Sequence, residues 1–140
     1  MDDISQIAVN DTASLHVKNA KGEPMFNKDG QPWRIHLYGP GSRQFAAIEA
    51  KQSARALKRM QDNDGKATVA PPEERAQQTA EDLAAITARF ENFGYSKAGD
   101  KQGTELFEAL YLDRSLGFIT RQVSKFVDDW GNFSGGSASS

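Results

Sequence analysis

The feature that most constrains the fold is a change of hydrophobic period at the glycine-rich segment 39–41. Before it, residues 12–18 and 33–38 alternate apolar and polar side chains, which is the period of half-buried β-strands. After it, from about 43 to 61, apolar side chains recur at spacings of three and four, which predicts an amphipathic helix. A small antiparallel hairpin or meander is therefore expected to precede a helical region.

Three further helices are expected after the loop 62–72. The first keeps its apolar spacing as far as Phe93 and is expected to stop at Gly94, the second covers 104–112, and the third is ended by Gly131. The predicted fold is therefore α+β, with an N-terminal antiparallel β-hairpin or meander packed against about four α-helices.

The first of the four helices has a marked division of side chains. Its apolar stripe is expected to contain Phe45, Ile48, Leu57 and Met60 together with several alanines, and its opposite face to contain Lys51, Gln52, Arg55, Lys58 and Arg59. The apolar stripe is expected to face the core and the charged face to be solvated.

Residues 12–133 are expected to form one α+β domain, since 140 residues suffice for a single core. Residues 1–11 are weakly patterned and predict a flexible arm, whereas the glycine- and serine-rich segment 134–140 predicts a disordered tail. Residues 62–72 are a candidate hinge. No internal repeat is visible.

Composition excludes several function classes. The chain contains no cysteine, so disulfides, thiolate metal sites and cysteine nucleophiles are ruled out. Its net charge of -2 argues against a duplex-DNA binder, which needs a clustered basic face. No segment has the length and apolar character of a signal peptide or a membrane span, so a soluble intracellular protein without membrane or nucleic-acid partners is expected.

The strand–glycine loop–helix segment HLYGPGSRQF, residues 36–45, has the order of elements found in a phosphate-binding loop. A Walker-type loop needs a lysine before its serine or threonine, and Ser42 follows Gly41 instead. A dinucleotide fingerprint needs a third glycine, where this chain has Gln44. The segment is better interpreted as a corner in which Ser42 is the N-cap of the following helix.

No other constellation predicts catalysis or a cofactor. His16 and His36 fall on the polar faces of their strands and could be cross-strand neighbours, but two imidazoles without a third ligand do not make a metal site. The many carboxylates lie on polar helix faces or at helix ends, so no paired acid and base is indicated. A non-enzymatic protein without metal or cofactor is expected.

The aromatic residues of the C-terminal third leave two interpretations open. They form either a wide core stripe or a surface for a partner, because Phe118 lies off the main apolar stripe and Phe133 lies beyond the helix stop. The candidate partner-binding residues, from the last and the first helix, are Phe118, Phe126, Trp130, Phe133, Phe45 and Met60.

Several segments occur in an order that resembles a known family. They are VNDTASLHVKN, then LYGPGSRQF, then FENFGY, and finally GTELFEALYLDRSLGFITRQVSKFVDDWGNF. Together they cover roughly residues 9 to 133, and they resemble the tail assembly chaperones of long, non-contractile-tailed bacteriophages and related prophage tail proteins. Arg114 departs from the family pattern, where proline is expected after the aspartate.

The resemblance implies a non-enzymatic assembly factor in the cytoplasm of the bacterial host. Such a chaperone coats the helical tape-measure protein and recruits tail-tube subunits before the tube polymerises, and self-association is a further expectation. Members of this family commonly exist in two forms, the longer made by a ribosomal frameshift, and the segment SGGSASS would suit a joint to such an extension. The alternative is a minor structural tail protein that is retained in the virion.

Overall fold

The computed structural model describes residues 2–135, and these form a three-stranded antiparallel sheet with four α-helices. The strands are β1 (Thr12–His16), β2 (Arg34–Tyr38) and β3 (Thr87–Glu91). The helices are α1 (Arg43–Asp62), α2 (Pro72–Ala85), α3 (Thr104–Leu112) and α4 (Gly117–Asp128). The predicted α+β class is confirmed, and the expected hairpin is part of a larger sheet.

Strands β1 and β2 pair as the alternating sequence predicts. Ala13 lies opposite Leu37 and Leu15 opposite Ile35. Ile35 and Leu37 are completely buried because this face of the sheet is covered by helices, and the intervening residues of β2 are only half-buried. The period-two signal therefore identified both strands and the buried face of β2, whereas in β1 Ser14, expected on the polar face, is also buried.

The third strand is a correction to the sequence prediction. The helix expected to continue to Phe93 ends at Ala85, and the chain then forms β3 on the free side of β2. The hydroxyl of Thr87 donates to the Leu83 carbonyl oxygen at 2.7 Å and lies 2.8 Å from the Tyr111 hydroxyl, which fixes this helix end. The apolar spacing of three and four continues past the helix end. There the rings of Phe90 and Phe93 pack on each other, with their centroids 4.8 Å apart.

The core lies between the sheet and helices α2, α3 and α4. Its buried apolar residues come from all of these elements, and its helical part is Ala80, Leu83, Ala84, Phe107, Leu110, Tyr111, Ile119, Val123 and Val127. Burial raises the pKa of Tyr111, whose hydroxyl meets Thr87 inside the core. The predicted boundaries 104–112 of the third helix are confirmed.

The connection between β1 and β2 contains a short repeat that the sequence interpretation missed. Residues 19–24 and 27–32 both have the pattern Asn-x-x-Gly-Glu/Gln-Pro. In each copy the asparagine carboxamide oxygen accepts two backbone N–H groups, and the asparagine backbone N–H donates to the fifth residue of the pattern at 2.9 Å in the first copy and 2.8 Å in the second. The expectation of no internal repeat is therefore wrong. The repeat was overlooked because each copy spans only six residues.

The glycine-rich corner is confirmed as a structural joint. The Ser42 hydroxyl accepts from the Phe45 N–H at 3.2 Å and donates to the Gly39 carbonyl at 2.7 Å. A Cβ built on Gly39 would lie 2.4 Å from the ring of Phe133, so only glycine fits against this buried aromatic side chain. The corner and the C-terminal segment thus pack directly on each other.

The two ends of the described chain meet at this joint. The Asn10 N–H donates to the Phe133 carbonyl at 2.8 Å, and the Asn10 side chain bonds to the Gly135 carbonyl. Residues 4–7 of the predicted arm form a short 3-10 helix with exposed side chains. Most of the predicted tail, residues 136–140, lies outside the described residues.

Within residues 2–135, no helix is long and apolar enough to cross a membrane.

Candidate functional site

Helix α1 is the least embedded of the four α-helices. It is the longest helix, with 20 residues, and none of them is buried. Only Phe45 and Ile48, in its N-terminal half, pack as half-buried side chains on the core. Because the whole remaining length of α1 lacks such packing, something other than apolar burial holds it beside α2.

Polar contacts join the rest of α1 to α2. Arg55 Nη1 donates to Asp82 Oδ2 at 2.8 Å, and Gln52 Nε2 donates to the same oxygen at 3.1 Å. Arg55 also lies 3.4 Å from Glu81, and Arg59 lies 3.3 Å from Glu74. The α1–α2 polar seam is our name for these residues, which are Gln52, Arg55 and Arg59 of α1 and Glu74, Glu81 and Asp82 of α2.

The polar seam contributes little net stability for the number of its contacts. The hydrogen bond to Asp82 raises the pKa of Arg55, which keeps the guanidinium charged. However, Asp82 is 7% exposed and its Oδ1 has no hydrogen-bond partner, and Arg59 Nε is also buried without one. Desolvation of such groups offsets much of the attraction between the charges.

Several apolar side chains of α1 are exposed, so its predicted orientation is wrong in part. Phe45 and Ile48 pack on the core as expected, and Lys51 and Lys58 are exposed as expected. The exposed apolar side chains away from the polar seam are Ala46, Ala47, Ala50, Ala54, Leu57 and Met60, and exposed polar residues such as Lys51 and Ser53 lie among them. Leu57 is 57% and Met60 40% exposed, although both were expected to face the core. Conversely, Gln52, Arg55 and Arg59 were expected to be solvated and instead face α2. We call the six exposed residues the outer face of α1.

A groove runs along the side of α1 that faces α2. Its larger part has a volume of about 880 Å³ and extends to the connecting segment Thr68–Ala70. A second part, of about 360 Å³, lies between α1, α2 and α4 and contains Phe45 and Ile48 in its lining. The two parts share Gln52, Thr79 and Asp82 as lining residues, so they form one continuous depression.

The C-terminal aromatic residues are less accessible than expected. Phe118 and Phe126 are half-buried against the core, and Phe133 is 1% exposed, packed on Phe126 and Gly39. Of the four C-terminal candidates only Trp130, at 56%, presents most of its surface to solvent. For Phe118, Phe126 and Phe133 the structure therefore favours the core interpretation of the aromatic stripe.

The three other candidate partner-binding residues lie in three different places. Met60 lies on the outer face of α1 and Phe45 in the smaller part of the groove. Trp130 lies beside the corner, because a Cβ built on Gly41 would be 3.7 Å from its ring and 2.8 Å from Val9. Leu57 and the α1–α2 polar seam were missed as features of the surface. The acidic residues of α2, with which Arg55 and Arg59 pair, were the signal that could have indicated them.

The two histidines do not form a metal site. His16 lies opposite Arg34 in the sheet and its Nε2 contacts the Met25 carbonyl at 2.9 Å. His36 contacts Glu91 at 2.8 Å, and this hydrogen bond lowers the pKa of Glu91. In the part of the chain that the structure describes, no three metal-binding side chains come together.

Comparison of the chain with protein-family models, with curated proteins and with solved structures gave no significant match to any of the three.

Proposed function

We propose that this protein is a phage tail assembly chaperone that binds the tape-measure protein and recruits tail-tube subunits in the cytoplasm of the bacterial host. It acts by reversible binding, without catalysis or a cofactor. The observation that carries the proposal is the outer face of α1, on which Leu57 and Met60 are exposed while the opposite side of the helix is occupied by polar contacts. Exposed apolar side chains grouped on one side of a helix are typical of surfaces that bind a protein partner.

The sequence segments that carry the family resemblance also support the proposal. Three of them meet at one joint: Gly39 from LYGPGS contacts Phe133 from WGNF, and Asn10 from VNDTASLHVKN bonds to the Phe133 carbonyl. Residues that depend on one another in this way have a physical reason to occur together in a family. This shared packing supports treating the three segments as one structural unit.

The test is co-expression with the tape-measure protein encoded by the same genome. Wild-type protein is expected to keep the tape-measure protein in solution and to co-purify with it. The double variant Leu57→Glu/Met60→Glu should lose co-purification, because charges on the outer face oppose an apolar contact. The matched control Ile4→Glu, at a side chain 83% exposed on another element, should retain it.

Equal recovery of the tape-measure protein with all three proteins would contradict the assignment of the outer face. Absence of co-purification even with the wild type would contradict the chaperone function itself. Mass spectrometry of purified virions addresses the alternative, because a chaperone should be absent from particles and a minor structural tail protein should persist in them.

A further inference from the structure

The smaller part of the groove, which we call the α4 pocket, combines an apolar floor with an acidic rim. Its floor consists of Leu83, Ile86 and Val127, all buried, beside the half-buried Phe45 and Ile48. With a volume of about 360 Å³, it is large enough for one long side chain. Since the floor is apolar, this side chain must contribute methylene or aromatic groups to fill it.

The rim of the α4 pocket carries negative charge alone. Glu49 and Asp128 are exposed at its edge, Asp82 lies in its wall, and none of the lining residues is Lys, Arg or His. The adjoining larger part of the groove differs, because Arg55, Lys58, Arg59 and Arg75 line it. The acidic lining residues without basic neighbours in the lining are therefore those at the α4 end of the groove.

Two features of these carboxylates favour a further cation at the pocket, although Arg55 already pairs with Oδ2 of Asp82. Asp82 is buried, and its Oδ1 lacks a hydrogen-bond partner although Oδ2 has two. Asp128 is the last residue of α4, where the helix dipole favours positive rather than negative charge. An acidic side chain at that position lowers the stability of the free protein, and a bound cation offsets that cost.

We propose that the α4 pocket binds a lysine or arginine side chain carried by a helix of a protein partner. The methylene stem packs on the floor while the charged head lies between Glu49 and Asp128, as long cationic side chains do at the borders of apolar surfaces. A helix is the carrier because the pocket is continuous with a groove alongside α1, whose 20 residues extend over about 30 Å. The inference concerns the chemistry of the occupant and not the tape-measure assignment, so each can fail without the other.

The experiment uses three alanine-based helical peptides that differ at one central position, which is lysine, norleucine or glutamate. Each peptide is titrated into the full-length protein, with binding followed by the shifts of backbone amide signals in ¹H–¹⁵N spectra. We expect the lysine peptide to give saturable shifts at Leu83, Ser124 and Val127 and to bind about ten-fold more tightly than the norleucine peptide. The glutamate peptide should bind most weakly.

The double variant Glu49→Gln/Asp128→Asn should abolish the difference between the lysine and norleucine peptides. It should fold at least as stably as the wild type, because Asp128→Asn removes an unfavourable charge from a helix end. The control Asp100→Asn/Glu105→Gln makes the same change of net charge at exposed sites elsewhere and should keep the difference. Equal binding of the lysine and norleucine peptides to the wild type, shifts confined to other surfaces, or no binding of any peptide would overturn the proposal.

Discussion

Helices α1 and α4 are both amphipathic in sequence, yet they are held in the molecule in opposite ways. α4 has 12 residues and buries Ile119, Val123 and Val127 in the core. α1 has 20 residues and buries none, and most of its length contacts α2 through the polar seam. The apolar side of α4 is turned inward and forms part of the core, whereas the exposed apolar side chains of α1 are the surface that we propose for a partner.

The acidic residues of α2 account for this difference. Glu74, Glu81 and Asp82 face α1, and they attract the arginines of α1 to the inner side. The larger apolar residues of α1 beyond Ile48, which are Leu57 and Met60, are then exposed on the other side of the helix. The amphipathic pattern alone therefore predicts that a helix has an apolar and a polar side, and the neighbouring helix determines which of the two faces it.

The largest expected difference between the two helices is in the cost of removing an apolar side chain. Ile119→Ala should reduce the free energy of unfolding by about 2–5 kcal/mol, because it leaves a cavity in the core. Leu57→Ala should change it by less than about 0.5 kcal/mol, because the side chain is exposed. Urea denaturation measures both, and similar losses would show that the outer face of α1 is packed.

The joint at the beginning of α1 should tolerate no added side chain. Gly39→Ala places a methyl group against the ring of Phe133 and should cost about 1–3 kcal/mol. The control Gly94→Ala meets nothing within 4 Å and should be near neutral. Thermal denaturation of both variants checks the joint, and an unchanged melting temperature for Gly39→Ala would contradict the contact with Phe133.

The polar seam should be sensitive to the loss of one partner more than to the loss of both. Arg55→Met leaves the buried Asp82 carboxylate without its cation and should cost about 1–3 kcal/mol. The double variant Arg55→Met/Asp82→Leu should recover most of that cost, since apolar groups then replace the ion pair. A double-mutant cycle in urea measures the coupling, and strictly additive costs would contradict a desolvated pair.

The smallest expected effect is an acid dependence at the junction between α3 and α4. Hydrogen bonds from the side chains of Ser115 and Tyr95 lower the pKa of Asp113 from 3.8 to about 2. Because the folded-state pKa is the lower one, the stabilisation is present above about pH 4 and is lost as the pH falls towards 2. Melting temperatures of wild type and Asp113→Asn should converge over this range, and parallel curves would contradict the assignment.

The sequence predicted those elements whose signal is local. Strands β1 and β2, the Ser42 cap and helix α3 all follow from periodicity or capping within a few residues. The segment of β3 was predicted as helix because Phe90 and Phe93 keep a helical spacing. Its pairing with β2 depends on residues about 55 positions away in the sequence and has no local signal. At the candidate site Met60 was identified, but the orientation of α1 was not, since it depends on charges of α2 that are distant in sequence.

Hydrogen exchange of the backbone amides tests the contrast between α1 and α4 most directly. Because exchange reports local opening, the amides of residues 50–61 in α1 should exchange about 100-fold faster than those of residues 120–127 in α4 in the free protein. Binding of the partner should slow exchange in α1 and leave α4 nearly unchanged. Equal protection of the two helices in the free protein would contradict the account, because it would mean that α1 is fixed as firmly as the core.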